Sequence, residues 1–425
     1  MPTYHIWTIG CQMNRAESAR IASVLEQQGY RPTGSADEAD IVVLNSCVVR
    51  QSAESKVVNK LHVMRRLKKG RPDLVLALTG CLVDSDEAAL RKAYPHVDHF
   101  FRPSDLPEWL AMSRGPVPLP ETAPVSVYVP IIQGCNNFCT YCIVPYRRGR
   151  ERSRPVAGIV GEVAELVRRG AKEVILLGQN VGSYGHDLPD KPDLADLLDE
   201  LNGIAGLLRI RFLTNHPKDM SSRLIERVAA LDKVCRHISL PVQSGDDDIL
   251  KAMRRGYTVD RYRRLVAEIR ERVPGVALST DLIVGFPGET EAQFQHSVGL
   301  LTELRFDAVH VACYSPRTGT LAARDLPDDV PREQKSRRLA IIEQLQQGIL
   351  TEINAGLLGQ TVDVLVDGRM KGKWRGRTGS DKLVFFSGPG DFAGRLVTVT
   401  LTRTSPWSLQ GSVVLPGKDH DKEAR

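Results

Sequence analysis

The sequence predicts an α/β protein in three parts: an N-terminal parallel α/β domain, a central partial (β/α)6 barrel and a small C-terminal β-barrel. Strand-like and helix-like segments alternate up to about residue 358, which is typical of parallel sheets. A proline-rich stretch divides this alternation into a short part and a longer one. After residue 360 the pattern changes to short alternating strands separated by turns, which is typical of a small barrel.

The composition is that of an ordinary globular protein with a mildly basic balance. Of the 425 residues, 42% are hydrophobic and 25% are charged, and the net charge is +6. No apolar run is long enough to span a bilayer, and the N-terminus lacks the pattern of a signal peptide. We therefore expect a cytoplasmic protein with no membrane partner. In a reducing compartment, the eight cysteines are expected to bind metal or take part in catalysis rather than form disulfides.

The first predicted domain, residues 1–114, carries one cysteine after each of three predicted strands: Cys11, Cys47 and Cys81. The carboxyl ends of parallel strands lie along one edge of a sheet, so the topology would bring these thiols together. Three unrelated buried thiols are the alternative, but their common position favours an iron–sulfur cluster. The predicted strands and helices of this domain cover residues 3–9, 17–28, 41–44, 52–69 and 74–78.

A second group of cysteines, Cys135, Cys139 and Cys142, has spacings of four and three residues. A loop of that size can place three thiolates on one small cluster, and iron–sulfur clusters normally have four. No fourth cysteine is nearby, so one iron would stay open to another ligand, as in catalytic metal sites. Zinc is the alternative, but it needs four ligands, and the nearest histidines, His99 and His186, are far away in sequence.

The central domain is predicted over residues 125–358, after a proline-rich, semi-rigid linker at 115–124. Its six repeats fall short of the eight of a closed barrel, and the open side would admit a large substrate. Active sites of such barrels lie at the carboxyl ends of the strands, where the loop of the second cysteine group is also predicted. The predicted strands cover 127–132, 173–177, 208–213, 234–240, 277–284 and 308–314, and the helices 156–169, 194–201, 221–230, 259–272, 290–304 and 332–358.

The last domain, residues 359–416, is strongly basic and precedes a charged tail at 417–425. Eight Arg or Lys and four Asp lie between residues 360 and 415, and aromatic residues are interspersed among them. Cationic grooves with aromatic side chains bind single-stranded nucleic acid, although aromatics in a small barrel are more often core. The candidate RNA-binding residues are Lys371, Lys373, Arg375 and Arg377. The predicted strands cover 361–366, 373–378, 383–386, 395–402 and 408–414.

The order of these domains and motifs resembles the radical SAM methylthiotransferase family over nearly the whole chain. The matching segments are residues 10–14, 45–50, 134–135, 139–146, 148–154, 240–245, 314–320 and 376–378. The resemblance implies two 4Fe–4S clusters, one on each group of cysteines, with S-adenosyl-L-methionine (SAM) bound at the second, and a C-terminal TRAM RNA-binding domain. It also makes the following residues candidates for SAM or substrate contacts: Tyr141, Gln179, Asn180, Gln243, Ser244 and Asp281.

The motif Cys11-Gln12-Met13-Asn14 is similar to that of the branch acting on C2 of N6-isopentenyladenosine, next to the anticodon of tRNA. The branches acting on an aspartate of ribosomal protein S12, or on threonylcarbamoyladenosine in tRNA, usually carry Pro-Lys-Asn or Lys-Val-Asn after this cysteine. Both remain alternatives. The chain departs from the first branch without losing a cluster ligand at Ile9, Ser46, Leu82, Val83 and Asp381.

The implied reaction is a radical one, because C2–H of adenine is not acidic and the difficult step must come from cofactors. One SAM would methylate a sulfur atom held at the N-terminal cluster, and a second would give the radical that activates C2. The target base in the anticodon loop must then be unstacked, and an electron donor such as flavodoxin or ferredoxin is required. An RNA-binding protein with structural metal sites, or an electron-transfer protein, would show no SAM cleavage.

Overall fold

The computed structural model describes residues 1–49, 51–83, 87–102, 105–110 and 119–414. Arg50, which ends the motif at 45–50, lies outside these ranges, as do residues 111–118 and the tail. The predicted boundaries of the three domains and of the linker stay predictions. None of the described helices is both long and apolar enough to cross a membrane.

The N-terminal domain is a five-stranded parallel sheet with the order β2-β1-β3-β4-β5. Its central strand β3 is wholly buried, because the helices α1 and α2 pack on opposite faces of the sheet. The elements are β1 Thr3–Thr8, α1 Gln12–Gln27, β2 Arg31–Pro32, β3 Ile41–Ser46, α2 Gln51–Gly70, β4 Val75–Gly80, α3 Glu87–Ala93 and β5 His99–Phe100.

Three of these elements extend beyond the predicted ranges toward the cysteines. Strand β4, expected to end at residue 78, continues to Gly80, directly before Cys81. The helix expected from residue 17 begins at Gln12, directly after Cys11. Strand β3 continues through Asn45 and Ser46, which are polar but completely buried. Their side chains form hydrogen bonds with neighbouring elements, so a buried strand can contain them.

The central domain is a half-barrel of six parallel strands in the order β6-β9-β10-β11-β12-β13, as predicted. Two three-stranded sheets form it, and a parallel bridge from Ile210 to Val234 joins them. Within the described ranges β13 and β6 do not pair, which leaves one side open. The main strands are β6 Ser126–Pro130, β9 Glu173–Leu177, β10 Arg209–Phe212, β11 His237–Ser239, β12 Ala277–Val284 and β13 Ala308–Cys313.

Helices cover the outside of the half-barrel and bury its aliphatic side chains. They are α5 Val156–Arg168, α6 Leu194–Asn202, α7 Ser222–Ala230, α9 Val259–Arg272, α10 Glu291–Leu304 and α12 Arg332–Ala355. The sequence did not reveal three short helices and a small hairpin near the strand ends: α4 Val144–Arg148, α8 Asp247–Ala252, α11 Leu321–Asp325, and β7 Ile132–Gln133 paired with β8 Arg152–Ser153.

The C-terminal domain is a closed five-stranded barrel with the order β14-β15-β16-β18-β17. Trp374 and Phe386 belong to its core, as the alternative for these aromatics anticipated, whereas the Trp407 side chain is 65% exposed. The strands are β14 Thr361–Met370, β15 Lys373–Thr378, β16 Leu383–Ser387, β17 Leu396–Thr404 and β18 Leu409–Val413.

The C-terminal barrel is docked on the amino end of the half-barrel. Arg209, the first residue of β10, donates hydrogen bonds to the backbone carbonyls of Arg377 and Asp363. Arg211 donates to the carbonyls of Thr378 and Gly379. The loop that carries Cys135, Cys139 and Cys142 follows β6 and lies toward the opposite, carboxyl end.

Candidate active site

The three N-terminal cysteines lie at the same edge of the first sheet. Thr8 of β1 pairs with Asn45 of β3, and Ser46 pairs with Gly80 of β4, so the three strands end level with one another. Cys47 and Cys81 follow their strands directly, and Cys11 comes three residues after the end of β1. None of the three forms a disulfide.

A network of buried amides joins the loops that carry these cysteines. Asn14 Nδ2 donates to Asn45 Oδ1 at 2.8 Å and to the Ser46 carbonyl at 2.9 Å. Asn45 Nδ2 in turn donates to the Asn14 carbonyl at 2.9 Å. Ser46 Oγ donates to the Thr79 carbonyl at 2.6 Å, next to Gly80 and Cys81. The motif residues beside each cysteine therefore fix the three loops against each other.

Two glycines allow this close approach. At Gly80, φ is +92°, and a Cβ would lie 2.3 Å from the Ser46 carbonyl oxygen. At Gly10, a Cβ would lie 2.6 Å from Cys47 Cβ. A side chain at either position would push the cysteine loops apart.

Burial makes deprotonation costly at two of the N-terminal thiols. Burial raises the pKa of Cys47 to about 11 and also raises that of Cys81. These thiols would be protonated without metal, and coordination supplies the compensation for deprotonation. Cys11 is the N-cap of α1, and its Sγ donates to Asn14 Oδ1 at 3.3 Å.

The second cysteine loop is anchored to the first strands of the half-barrel. Gly134 has φ +82°, and a Cβ there would lie 2.1 Å from the Arg150 carbonyl oxygen. Its N–H donates to Gln179 Oε1 at 2.7 Å, and the Cys135 N–H donates to the Gly149 carbonyl at 3.1 Å. The loop thus presents Cys135, Cys139 and Cys142 at the carboxyl end of β6. Burial raises the pKa of Cys142 to about 12.

The donor set fits an iron–sulfur cluster better than a single metal ion. Among the described residues, no group of three or more His, Cys, Asp or Glu side chains is placed to hold one ion. This gives no support to zinc at Cys135, Cys139 and Cys142. Three unbridged thiols on one loop match the ligand chemistry of a cluster with one open iron.

Arg148 connects the two groups of cysteines. It lies on α4, directly after the second loop, and its Nη1 donates to Glu17 Oε1 of α1 at 2.6 Å. The two side chains are 6% and 9% exposed. The Arg148 guanidinium also lies against Cys81, where it counteracts part of the rise that burial causes in the pKa of that thiol. Arg148 belongs to a basic run at residues 147–154, and such runs are usually solvated, so the sequence gave no sign of this contact.

The two domains also meet at the loop that follows β13. Ser315 Oγ donates to Gln51 Oε1 at 2.9 Å, and Arg317 Nη1 donates to Glu54 Oε2 at 2.7 Å. The N-terminal domain therefore sits on the carboxyl end of the half-barrel, with its cysteine edge turned toward the second loop.

Several side chains that are candidates to contact SAM or substrate are already hydrogen-bonded within the protein. Gln179 anchors Gly134, and Asn180 is buried between the His216 N–H and Asp219. Ser244 is 0% exposed, and its Oγ accepts from the Asp246 N–H.

The remaining candidates in the half-barrel lie close together. Gln243 has φ +73°, and its N–H donates to the Asp281 carbonyl at 2.9 Å. Both side chains are partly exposed near the carboxyl end. Tyr141 lies between two cysteines and packs against Phe286 and Tyr314.

The structure adds Arg255, which the sequence analysis did not single out. It follows α8, and its guanidinium contacts both Cys139 Sγ and the Tyr141 hydroxyl at 3.4 Å. The separation of 116 residues from Cys139 explains why no local pattern pointed to it.

The candidate RNA-binding residues lie on the hairpin of β14 and β15. Lys371 and Gly372 form its two-residue turn, both with positive φ. Lys373 is exposed and bonds to Gln410 at 2.8 Å. Arg375 pairs with Asp367 at 2.7 Å, and Arg377 bonds to Asp381, near the half-barrel. The two lysines are therefore the candidates at the tip, farther from those ion pairs.

Comparison with known families divides the chain in the same order. Residues 3–102 match the Uncharacterized protein family UPF0004, residues 129–301 match the Radical SAM superfamily, and residues 357–414 match the TRAM domain. A tRNA-2-methylthio-N(6)-dimethylallyladenosine synthase of Dehalococcoides mccartyi (strain CBDB1) is 56% identical, with 97% of this chain and 99% of the relative covered. The chain belongs to that family of synthases. The synthase of Roseiflexus sp. (strain RS-1) is 51% identical, with 96% and 89% covered.

The fold of this protein is similar to that of a solved structure. It is a radical S-adenosylmethionine methyltransferase, TsrM, from Kitasatospora setae, solved with cobalamin and a [4Fe–4S] cluster bound. The TM-score is 0.52 at 13% identity, with 76% of this chain and 74% of the other covered. A likeness at this identity concerns the fold alone. Membership of a radical SAM family means that the chain uses an iron–sulfur cluster and SAM.

Proposed function

We propose that this protein is a radical SAM enzyme that methylthiolates C2 of N6-isopentenyladenosine in tRNA. The names of its relatives give the substrate, and one structural observation carries the two-cluster reaction. Arg148, at the end of the SAM-cluster loop, lies against Cys81 of the N-terminal group. A side chain that follows the SAM-cluster loop in sequence thus reaches the N-terminal thiols.

In this proposal Cys135, Cys139 and Cys142 hold the cluster that binds SAM, and Cys11, Cys47 and Cys81 hold a second cluster. When bound, the clusters would supply the electron that cleaves SAM and the sulfur atom that is transferred. The chain itself holds the two loops in fixed positions through Asn14, Gln179, Arg148 and their partners. Fixed placement of reacting groups is a large part of catalysis by such sites.

The TRAM barrel is proposed to grip the tRNA through phosphate contacts. Lys371 and Lys373 at the hairpin tip are exposed, so their ammonium groups could contact the phosphates of a polyanion. The open side of the half-barrel would then admit the anticodon loop with its base unstacked. An electron donor such as flavodoxin or ferredoxin would reduce the cluster.

The substrate is tested by nucleoside mass spectrometry of tRNA from a strain that lacks this chain. The 2-methylthio form of isopentenyladenosine should disappear, and the unthiolated nucleoside should accumulate. An unchanged nucleoside profile together with loss of a modified aspartate in a ribosomal protein would refute the tRNA proposal.

The two-cluster arrangement is tested by replacing each group of cysteines with Ala. Each triple variant should lose about half of the bound iron, because each group is taken to hold one cluster. The variant of Cys11, Cys47 and Cys81 should still form 5′-deoxyadenosine with a chemical reductant but transfer no methylthio group. The other triple variant should form none. Cys235→Ala, which removes a buried thiol outside both groups, is the control and should keep its iron.

A further inference from the structure

We propose that Arg255 is a positioning residue for the cluster at Cys135, Cys139 and Cys142, and that it favours the reduced form of that cluster. Its guanidinium would donate an N–H···S hydrogen bond to the Cys139 thiolate and place a positive charge beside the iron. This inference deepens the proposed function, because it concerns how the SAM-binding cluster receives its electron.

The Arg255 guanidinium is held rigidly. The residue is 4% exposed. Its Nη2 donates to the Pro241 carbonyl at 2.8 Å, and its Nε donates to the Tyr257 hydroxyl at 3.0 Å. That hydroxyl in turn donates to the Val242 carbonyl at 2.9 Å. Two groups on the loop after β11 therefore orient Nη1 toward Cys139 Sγ, 3.4 Å away.

The charge of Arg255 has no carboxylate partner among the described residues. The groups around it that carry or could carry negative charge are Tyr141, Tyr257 and Cys139. A tyrosine hydroxyl is neutral near pH 7, so neither tyrosine supplies a counter-charge. Three other buried arginines pair with a carboxylate: Arg211 with Glu173, Arg317 with Glu54, and Arg338 with Glu289. The guanidinium of the buried Arg209 is instead bound by two backbone carbonyls.

A buried cation without a counter-charge is costly, and natural proteins rarely retain one. The missing partner is the cluster itself. A cluster held by three thiolates is anionic, and it gains one more negative charge when it accepts an electron. A fixed cation beside one thiolate therefore stabilises the reduced state more than the oxidised state. Hydrogen bonds to cluster sulfur are an established determinant of reduction potential.

The test is a redox titration of the reconstituted protein without tRNA, followed by electron paramagnetic resonance. Arg255→Gln keeps a hydrogen-bond donor but loses the charge, and Arg255→Lys keeps the charge. Arg254→Met is the matched control, because Arg254 is the exposed neighbour on the same turn. At a fixed potential, Arg255→Gln should lower the ratio of reduced to oxidised cluster about tenfold, which is 59 mV for one electron. Arg255→Lys should lie between Arg255→Gln and the parent.

Iron content is measured in every variant, so that loss of the cluster is separated from a change in its potential. If Arg255→Gln loads poorly, Arg255→Lys must still load better, because charge is the postulated contribution. Equal midpoint potentials in the parent and both Arg255 variants would overturn the proposal. So would equally poor iron loading in Arg255→Gln and Arg255→Lys. The titration uses no tRNA, so an error in the proposed substrate leaves its outcome unchanged.

Discussion

The ion pair between Arg338 and Glu289 is buried in the central domain. Breaking it should lower the free energy of unfolding strongly. Arg338 Nη1 is 2.8 Å from Glu289 Oε2, and the side chains are 0% and 1% exposed. Glu289 also accepts the Gly285 N–H at 2.6 Å, which fixes the loop after β12. Removing one partner of a buried pair costs about 3–5 kcal/mol, since the other charge is left without compensation. Arg338→Met should lower the free energy of unfolding by that amount.

The preceding residue on α12, Arg337, offers a matched control. Arg337 forms an ion pair with Glu291 at 2.9 Å, but its side chain is 59% exposed. Exposed pairs contribute about 0–1 kcal/mol, so Arg337→Met should be close to neutral. The assay is thermal and urea unfolding of the cluster-free protein by circular dichroism. A loss of about 3 kcal/mol should lower the midpoint temperature by roughly 6–12 °C.

The effect should also depend on pH, with a sign that follows from Glu289. Burial already raises the pKa of this carboxyl, and loss of Arg338 raises it further. A folded-state pKa above the unfolded one means that the fold is stabilised as pH falls through that range. The gap between Arg338→Met and the parent should therefore narrow from about pH 7 to about pH 5. Adding Glu289→Gln should remove this pH dependence. Equal losses for Arg337→Met and Arg338→Met, or a gap that widens on acidification, would contradict the reasoning.

Three further outcomes are expected. Gly80→Ala should destabilise the N-terminal domain and lower the iron content by about one cluster, because the new Cβ would clash with the Ser46 carbonyl. Gly29→Ala is the control for iron loading, because Gly29 has a similar φ but open space around it. Lys371→Gln with Lys373→Gln should weaken tRNA binding and reduce its salt slope by roughly one for each phosphate that is no longer neutralised, whereas Arg375→Gln should do less because Asp367 already neutralises that charge. Arg209→Met with Arg211→Met should release the TRAM barrel, seen as faster proteolysis after α12, because four backbone carbonyls lose a charged donor, each worth about 1–3 kcal/mol.

Much of the fold could be predicted because local pattern and topology determine it. The six strands of the half-barrel are regular, and parallel topology alone placed Cys11, Cys47 and Cys81 at one sheet edge. Contacts between distant segments could not be predicted. Arg255 meets Cys139 across 116 residues, and Arg148 meets Glu17 across 131. A basic residue looks the same in sequence whether it lies in solvent or under a second domain, and only packing distinguishes the two.

The way the TRAM barrel is docked has a consequence for which nucleotide is modified. Arg209 and Arg211 bind mainly backbone carbonyls of the TRAM domain. Two TRAM side chains add ion pairs to this contact, Asp381 with Arg211 and Lys382 with Asp307. On the proposed function, the RNA-binding surface and the reaction centre would lie at opposite ends of the half-barrel. The enzyme would then select its target by distance. An RNA stem bound by the TRAM barrel would place at the clusters the nucleotide that lies one barrel length away. Recognition by distance requires no reading of the bases between those two points.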